Sequence, residues 1–343
     1  MYTGFDLRID EDSYIFSGHN YNLLVKDGEK HLNDQKAKYE KELKEYVNEE
    51  EIDGTKIQNE WFPQIEADIF ISHSHNDKNL ACALAGWINK TFGLKCFIDS
   101  NVWGYSNNLL KEMNDKLSDK RPYGEDSYLY DYDSCNQVSQ HVNAMLSIAL
   151  QKMIDKVEAV IFLNTDNSIK ICSDNKMNKT YSPWIYSEII CTQLVRKKPL
   201  IAYRDYIYET RTESAFLEGM QFIMHTAISY TVSLEHLKKM DQKDLKKWKD
   251  EYIFNKANYQ YALDALYEFM CPDEVENTKK LFGALNNRAL ESIKHAYSTQ
   301  DINSEEWGDA RHVWEYIINR GISCSCYCCR LECDKRACCC LED

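Results

Sequence analysis

A tryptophan and a glutamate four residues apart are the strongest candidates for chemistry in this chain. Ser182 suits the N-cap of a predicted helix and Pro183 suits its first position. Trp184 and Glu188 then share one stripe of that helix, so an aromatic face and a carboxylate lie side by side. The adjacent stripe, predicted to face the core, contains Ile185, Ile189 and Thr192. Because glutamate is usually a surface residue, the helix alone favours a merely solvated Glu188.

Short apolar runs that alternate with helical patterns predict a parallel sheet with helices on both faces. In such sheets ligands bind beyond the carboxyl ends of the strands. Ser72, His73 and Asp99 lie at those ends, as does the loop after Leu163. The predicted strands are residues 67–72, 94–99, 159–163 and 199–203, and a weaker fifth strand is predicted at 228–232.

Apolar spacing also locates the main helices. One begins near Leu80, with Asp77 as its expected cap, and a short helix spans 109–117. The segment 118–136 is rich in Asp and Tyr, and its length predicts a lid or an insertion. The clearest helical pattern runs from Val142 to Val157, with Ser139 as the expected cap.

The predicted fold is α/β, with helical extensions at both ends of the sheet domain. Within the first extension we expect an exposed helix inside Lys30–Glu50, ending at Asp53-Gly54. The predicted domains are a polar helical N-terminal extension (1–65), the sheet domain (66–232), a helical C-terminal region (233–323) and a Cys-rich tail (324–343).

The formal net charge of −14 excludes an electrostatic footprint for nucleic acid or for an anionic membrane surface. No apolar run is long enough for a transmembrane helix, and the first ten residues lack a signal-peptide pattern. Tyr2 excludes N-myristoylation. We therefore expect a cytoplasmic protein. The absence of a G-x-G-x-x-G fingerprint and of a P-loop weighs against a Rossmann dehydrogenase and against an NTPase.

Histidine and cysteine give no strong metal signal. His73 and His75 alternate in a polar turn without nearby Cys or carboxylate ligands, so turn chemistry is the better interpretation. Eight of the fourteen cysteines fall in the last twenty residues. Their spacing does not make two Cys-x-x-Cys pairs at a zinc-finger distance. A reactive tail is the favoured interpretation, and metal binding and acylation remain alternatives.

Three motifs, taken together and in order, carry a family resemblance. They are Asp68–His73 with Asp77, then Cys96–Asp99 running into Trp103-Gly104 and Ser106, and finally Ser182 with Trp184 and Glu188. This combination resembles the Toll/interleukin-1 receptor (TIR) family, in particular the bacterial, Thoeris-like TIR proteins of anti-phage defence. The resemblance covers roughly residues 66–205, and the Tyr-rich insertion departs from compact family members.

The resemblance implies a flavodoxin-like domain that cleaves NAD+ at the nicotinamide–ribose bond, with Glu188 as the catalytic residue. NAD+ is then the substrate, and neither a separate cofactor nor a metal is implied. The product is ADP-ribose or a cyclic ADP-ribose signal that a downstream effector would sense. Self-association through the Asp99–Ser106 loop is also implied. The substrate-binding residues carried over from the motifs are Ser72, His73, Asp99, Trp103, Ser106 and Trp184.

Two other functions stay open from the sequence. A TIR scaffold would assemble with partners without catalysis, and it has no need of a carboxylate beside Trp184. A nucleoside-transferring enzyme on a related flavodoxin-like fold would use a similar glutamate on another N-glycoside. Glu188 therefore distinguishes a catalytic protein from a scaffold, and the choice of substrate distinguishes the two enzymes.

Overall fold

The described residues form an α/β fold built on a five-stranded sheet. The helices are α1 (Tyr21–Lys36), α2 (Gly54–Trp61), α3 (Lys78–Phe92), α4 (Ser106–Leu117), α5 (Tyr132–Lys156), α6 (Pro183–Leu194), α7 (Gln242–Phe254) and α8 (Ala262–Met270). The strands are β1 (Thr3–Arg8), β2 (Ile69–Ser72), β3 (Cys96–Phe97), β4 (Lys120–Pro122), β5 (Tyr128–Tyr130), β6 (Ala159–Leu163), β7 (Lys170–Ile171), β8 (Asn178–Thr180), β9 (Tyr230–Thr231) and β10 (Lys238–Asp241). This computed structural model describes residues 1–17, 20–36, 53–99, 106–123, 128–171, 177–198, 200–203, 229–259 and 261–276.

The main sheet has the strand order β10-β1-β6-β2-β3, and its four neighbouring pairs are all parallel. Ile69 pairs with Ala159 on one side and with Cys96 on the other, so β2 lies between β6 and β3. All five residues of β6 are buried, as a central strand requires. The predicted parallel sheet is confirmed, and three of its strands (β2, β3 and β6) lie where the apolar runs indicated.

The other two strands of this sheet correct the sequence prediction. Residues 1–65 were predicted as a helical extension, but Thr3–Arg8 is β1 and pairs with both β6 and β10. Residues 233–323 were predicted as helical, but Lys238–Asp241 forms β10. Strand β1 is not an apolar run in the sequence, because Asp6 lies within it. The buried carboxylate of Asp6 accepts a hydrogen bond from Asn164 Nδ2 at 2.7 Å, which lets a charged residue lie inside a buried strand.

Two predicted strands adopt other conformations. Residues 200–203 form a short 3₁₀ helix instead of the fourth sheet strand. Strand β6 already pairs with β1 on one side and with β2 on the other, so neither of its edges is open to a further strand. The predicted strand at 228–232 is present as Tyr230–Thr231, but it pairs antiparallel with β8 in a separate three-stranded sheet, β7-β8-β9.

The helices pack in two groups. In one group α1 crosses α3 so closely that a Cβ atom added at Gly28 would lie 2.0 Å from the carbonyl oxygen of Cys82. A Cβ atom added at Gly86 would likewise lie 2.2 Å from the carbonyl oxygen of Leu24. In the other group α5 contacts α2, α4 and α6. The helix predicted inside Lys30–Glu50 overlaps α1 only over residues 30–36, and the rest of that range lies outside the described residues.

Several element boundaries differ from the prediction for reasons of capping. Helix α5 begins at Tyr132 because the Asp131 side chain accepts a hydrogen bond from the Ser134 N–H, so Ser139 is not its cap. The predicted loop 118–136 therefore contains the start of α5, together with the hairpin β4-β5. Asp53, predicted to end a helix, is the N-cap that begins α2.

By their contacts the residues form two compact units. The first contains the five-stranded sheet and extends over Thr3–Val195 and Ala215–Lys249. The predicted domain boundaries at 65/66 and 232/233 therefore fall inside this unit. The second unit includes α8, where the buried Tyr267 ring meets the Tyr2 ring edge-on at 4.9 Å. Across the described parts of the chain, no helix has both the length and the apolar character that a membrane crossing demands.

Candidate functional site

The carboxyl ends of β2 and β3 bring three of the predicted site residues to one edge of the sheet. Ser72 is the last residue of β2, and His73 follows it directly. Asp99 comes two residues after Phe97, the last residue of β3. Since β2 and β3 are parallel neighbours, these residues share the edge at which ligands of such sheets bind.

Helix α6 presents the fourth residue, Glu188. Ser182 caps this helix by accepting a hydrogen bond from the Ile185 N–H at 3.2 Å, and Pro183 occupies its first turn. The predicted core stripe is confirmed, since its three residues are each 2% exposed. Ile185 and Ile189 pack with Phe162 of β6 in one apolar cluster. The packing of α6 on β6 therefore fixes where Glu188 lies.

The side chain of Glu188 is buried at the sheet edge. Only 3% of Glu188 is exposed, and the Ser72 hydroxyl donates a short hydrogen bond to its Oε2 atom. The interpretation of Glu188 as a solvated surface glutamate is therefore wrong. Trp184, one turn earlier on α6, is half-buried. The fold thus brings Ser72 and Glu188, which are 116 positions apart in the chain, into direct contact.

Burial controls the charge of Glu188. It raises the pKa of the Glu188 carboxyl group well above its ordinary value, because a carboxylate is poorly solvated there. The negative charge of Asp99 raises this pKa further, whereas the hydrogen bond from Ser72 lowers it. Burial and the Asp99 charge therefore favour the protonated form of Glu188 more than an exposed position would. A cation placed beside this group would reverse that preference.

His73 and Asp99 form a second pair in the site. His73 Nδ1 lies 3.9 Å from Asp99 Oδ1, and the two side chains are 1% and 31% exposed. Burial lowers the pKa of the His73 imidazole, although the nearby Asp99 charge raises it. His73 is therefore held largely neutral, and Asp99 is the member of the pair that reaches solvent.

Asp77 is a residue whose role the sequence prediction missed. It stands at the N-cap position of α3, but its side chain makes no capping hydrogen bond. Instead its carboxylate accepts hydrogen bonds from Thr165 Oγ1 at 2.5 Å and from Asn167 Nδ2 at 2.6 Å. Asp77 therefore occupies the predicted N-cap position of α3, but its side chain does not cap the helix. No local signal in the sequence pointed to partners about ninety residues away.

Two predicted substrate-binding residues are not placed by the described structure. Trp103 lies outside the described residues, and so does the Cys-rich tail. Ser106 begins α4, but its side chain lies outside the described part of that helix. These two assignments remain predictions from the sequence.

The described residues also bear on metal and thiol chemistry. In the ranges that the structure describes, no three His, Cys, Asp or Glu side chains cluster in a way that could hold a metal ion.

Cys191 lies three residues after Glu188 on α6. Burial raises the pKa of its thiol to about 12, and the charges of Asp155 and Glu188 contribute. Cys191 therefore remains a protonated thiol at neutral pH and is a poor nucleophile.

In comparisons with known proteins, no family model, no curated protein and no solved structure matches this chain. The functional conclusion therefore depends on the geometry of the site and on the chemistry of its side chains.

Proposed function

We propose that this protein cleaves NAD+ at the nicotinamide–ribose bond, with Glu188 as the catalytic residue. One observation carries the proposal: a buried carboxyl group is held by Ser72 at the carboxyl edge of a parallel sheet. Burying a carboxyl group costs stability, and carboxyl groups with perturbed pKa values cluster at functional sites. A protein that only assembles with partners gains nothing from such a group at this edge.

The electrostatics of the site suit a cationic substrate. The nicotinamide ring of NAD+ is a pyridinium, and its positive charge near Glu188 would lower the pKa of the carboxyl group and favour the carboxylate. As the bond to nicotinamide breaks, positive charge moves onto the ribose. The Glu188 carboxylate would stabilise that charge most strongly in the transition state. Substrate binding thus creates the charge that catalysis requires.

The leaving group makes a second carboxylate unnecessary. Nicotinamide departs as a neutral molecule from a cationic ring, so no acid has to protonate it, in contrast to ordinary glycoside hydrolysis. Attack by water gives ADP-ribose, and attack by an adenine nitrogen gives a cyclic ADP-ribose. A neutral His73 does not repel the cationic ring, and Asp99 attracts it.

The remaining assignments are parts of the same proposal. Ser72 orients the Glu188 carboxyl group, and the half-buried Trp184 offers an aromatic face for a ring of the substrate. We assign Trp103 and Ser106 to substrate binding on the motif resemblance alone. Membership of the TIR family, cytoplasmic localisation and a role in anti-phage signalling belong to the proposal on the same basis.

Nicotinamide release from NAD+ by the purified protein tests the proposal, with Glu188→Gln measured in parallel. We expect release by the wild type, loss of release in the variant and an unchanged circular-dichroism spectrum. The mass of the product then distinguishes hydrolysis from cyclisation. Deoxynucleosides are assayed beside NAD+, because cleavage of these alone would indicate a nucleoside-transferring enzyme instead.

If the wild type releases no nicotinamide from NAD+, one further experiment is needed, since an enzyme of this class can require assembly. The protein is therefore fused to a tetramerising coiled coil and assayed again. Release that appears only in the fusion and still requires Glu188 supports the proposal. Silence of the fusion towards both NAD+ and deoxynucleosides would leave the scaffold function as the better description.

A further inference from the structure

Asp77 connects two loops that border the candidate site. It ends the 3₁₀ turn His75–Asp77, which begins three residues after Ser72. Its buried carboxylate accepts hydrogen bonds from the Thr165 hydroxyl at 2.5 Å and from the Asn167 side-chain amide at 2.6 Å. Thr165 and Asn167 belong to the loop after β6, the parallel neighbour of β2. Asp77 thus joins the loops that leave the carboxyl ends of two adjacent strands.

The loop after β6 is otherwise closed largely on itself. The Thr165 N–H donates to Ser168 Oγ at 2.9 Å, and Ser168 Oγ donates to the Leu163 carbonyl at 2.8 Å. The Asn167 N–H donates to Thr165 Oγ1 at 3.2 Å. These contacts determine the conformation of the loop itself. The two hydrogen bonds to Asp77 connect the loop to the turn after β2.

We propose that Asp77 is a positioning residue that holds the residue 165–168 loop against the turn after β2 and thereby sets the rim that binds substrate. This inference rests on the proposed function. Asp77 acts through the loop and does not touch the reacting atoms. Glu188 is held independently, by Ser72 and by the capped helix α6. Loss of Asp77 therefore weakens substrate binding more than it slows the chemical step.

Steady-state kinetics on NAD+ test this role. For Asp77→Ala we expect KM to rise about tenfold or more while kcat stays within about threefold of wild type. Thr165→Val removes one partner and should raise KM in the same direction, and the double variant should show less than the product of the two single effects. Asp77→Asn keeps one acceptor oxygen and should give an intermediate KM.

Asp53→Ala is the matched control, because the Asp53 carboxylate also accepts two hydrogen bonds, but both come from the backbone N–H groups of α2, which it caps. It should lower Tm and leave KM unchanged. If Asp77→Ala behaves as Asp53→Ala does, with a lower Tm and a wild-type KM, Asp77 is only a structural residue and the proposal is wrong.

Hydrogen exchange separates failure of this inference from failure of the proposed function, since it needs no substrate. In Asp77→Ala, or in Asp77→Asn if the alanine variant does not fold, amides of residues 165–168 should exchange faster while those of α6 keep their protection. Unchanged exchange at 165–168 overturns the inference whatever the enzyme does. Faster exchange in a protein that never cleaves NAD+ refutes the proposed function and, with it, the substrate-binding role of Asp77.

Discussion

The buried carboxyl group of Glu188 makes the stability of the fold depend on pH. Below the ordinary glutamate pKa of about 4.3, the folded and unfolded chains both carry the proton, and the contacts of Glu188 are fully stabilising. Above it the unfolded chain ionises, but the folded chain keeps the proton because burial raises the pKa of Glu188. Stability is therefore lost as pH rises towards the folded pKa.

Glu188→Gln removes this ionisation and keeps the shape and the acceptor for Ser72. We expect the Tm of the variant to exceed that of wild type at pH 8 and the difference to vanish near pH 4. Thermal unfolding of both proteins from pH 4 to pH 8 measures this difference in Tm. Glu235→Gln, at an exposed side chain, should follow the wild-type curve throughout. If Glu188→Gln is less stable than wild type at pH 8, Glu188 is instead ionised and paired in the fold.

Ser72→Ala tests the hydrogen bond to Glu188. This bond lowers the pKa of Glu188, so its loss should raise that pKa further. Because the carboxylate is the active form in the proposed mechanism, nicotinamide release should fall about tenfold to a hundredfold at pH 7. The rise of activity with pH should also move to higher pH. A uniform loss of activity with an unshifted pH profile would contradict this explanation.

At the scale of elements, the predictions that the structure confirms are those that rest on residues adjacent in the chain. The apolar runs of β2 and β6 and the Ser182-Pro183 start of α6 are local signals, and the structure confirms them. The start of α5 was missed because Asp131 outcompetes Ser139 as a cap. Strand β1 was missed because Asp6 interrupts its apolar run, and only its distant partner Asn164 explains how that charge is accommodated.

The crossing of α1 and α3 supports a prediction about glycine. A Cβ atom at Gly28 would lie 2.0 Å from a backbone oxygen, so the two helices must separate to admit it. Gly28→Ala should lower the free energy of unfolding by about 3 kcal/mol. Gly54→Ala is the control, because its Cβ atom would meet only Met145 Cε at 3.6 Å. Urea unfolding gives the free energy of unfolding of the two variants and of wild type. Equal effects of the two substitutions would contradict the observed crossing of α1 and α3.

At the scale of the whole molecule, the sheet order could not be predicted from the sequence. Strand β1 lies between β6 and β10, and each of its two pairings joins segments more than 150 residues apart. The same limit applies to the site. Motif spacing brought Ser72, His73, Asp99 and Glu188 into consideration, but the contact between Ser72 and Glu188 and the one between Asp77 and Thr165 form only when distant segments fold together.

Self-association is predicted at this scale, through the Asp99–Ser106 loop. If assembly completes the enzyme, the rate of nicotinamide release per molecule should rise with protein concentration and follow the fraction of oligomer. Light scattering and the NAD+ assay on the same samples measure the two quantities. A fully active monomer would exclude this requirement and leave the chemistry of Glu188 intact.

The most direct test compares two buried glutamates. Glu188 lies at the carboxyl edge of the sheet, and Glu158 lies at the amino end of β6, where it is also buried. If Glu188 carries the reaction, Glu188→Gln should lower nicotinamide release at least about a hundredfold, and Glu158→Gln should leave it near wild type. Release that survives in Glu188→Gln, or that falls equally in both variants, would contradict the proposed role of Glu188.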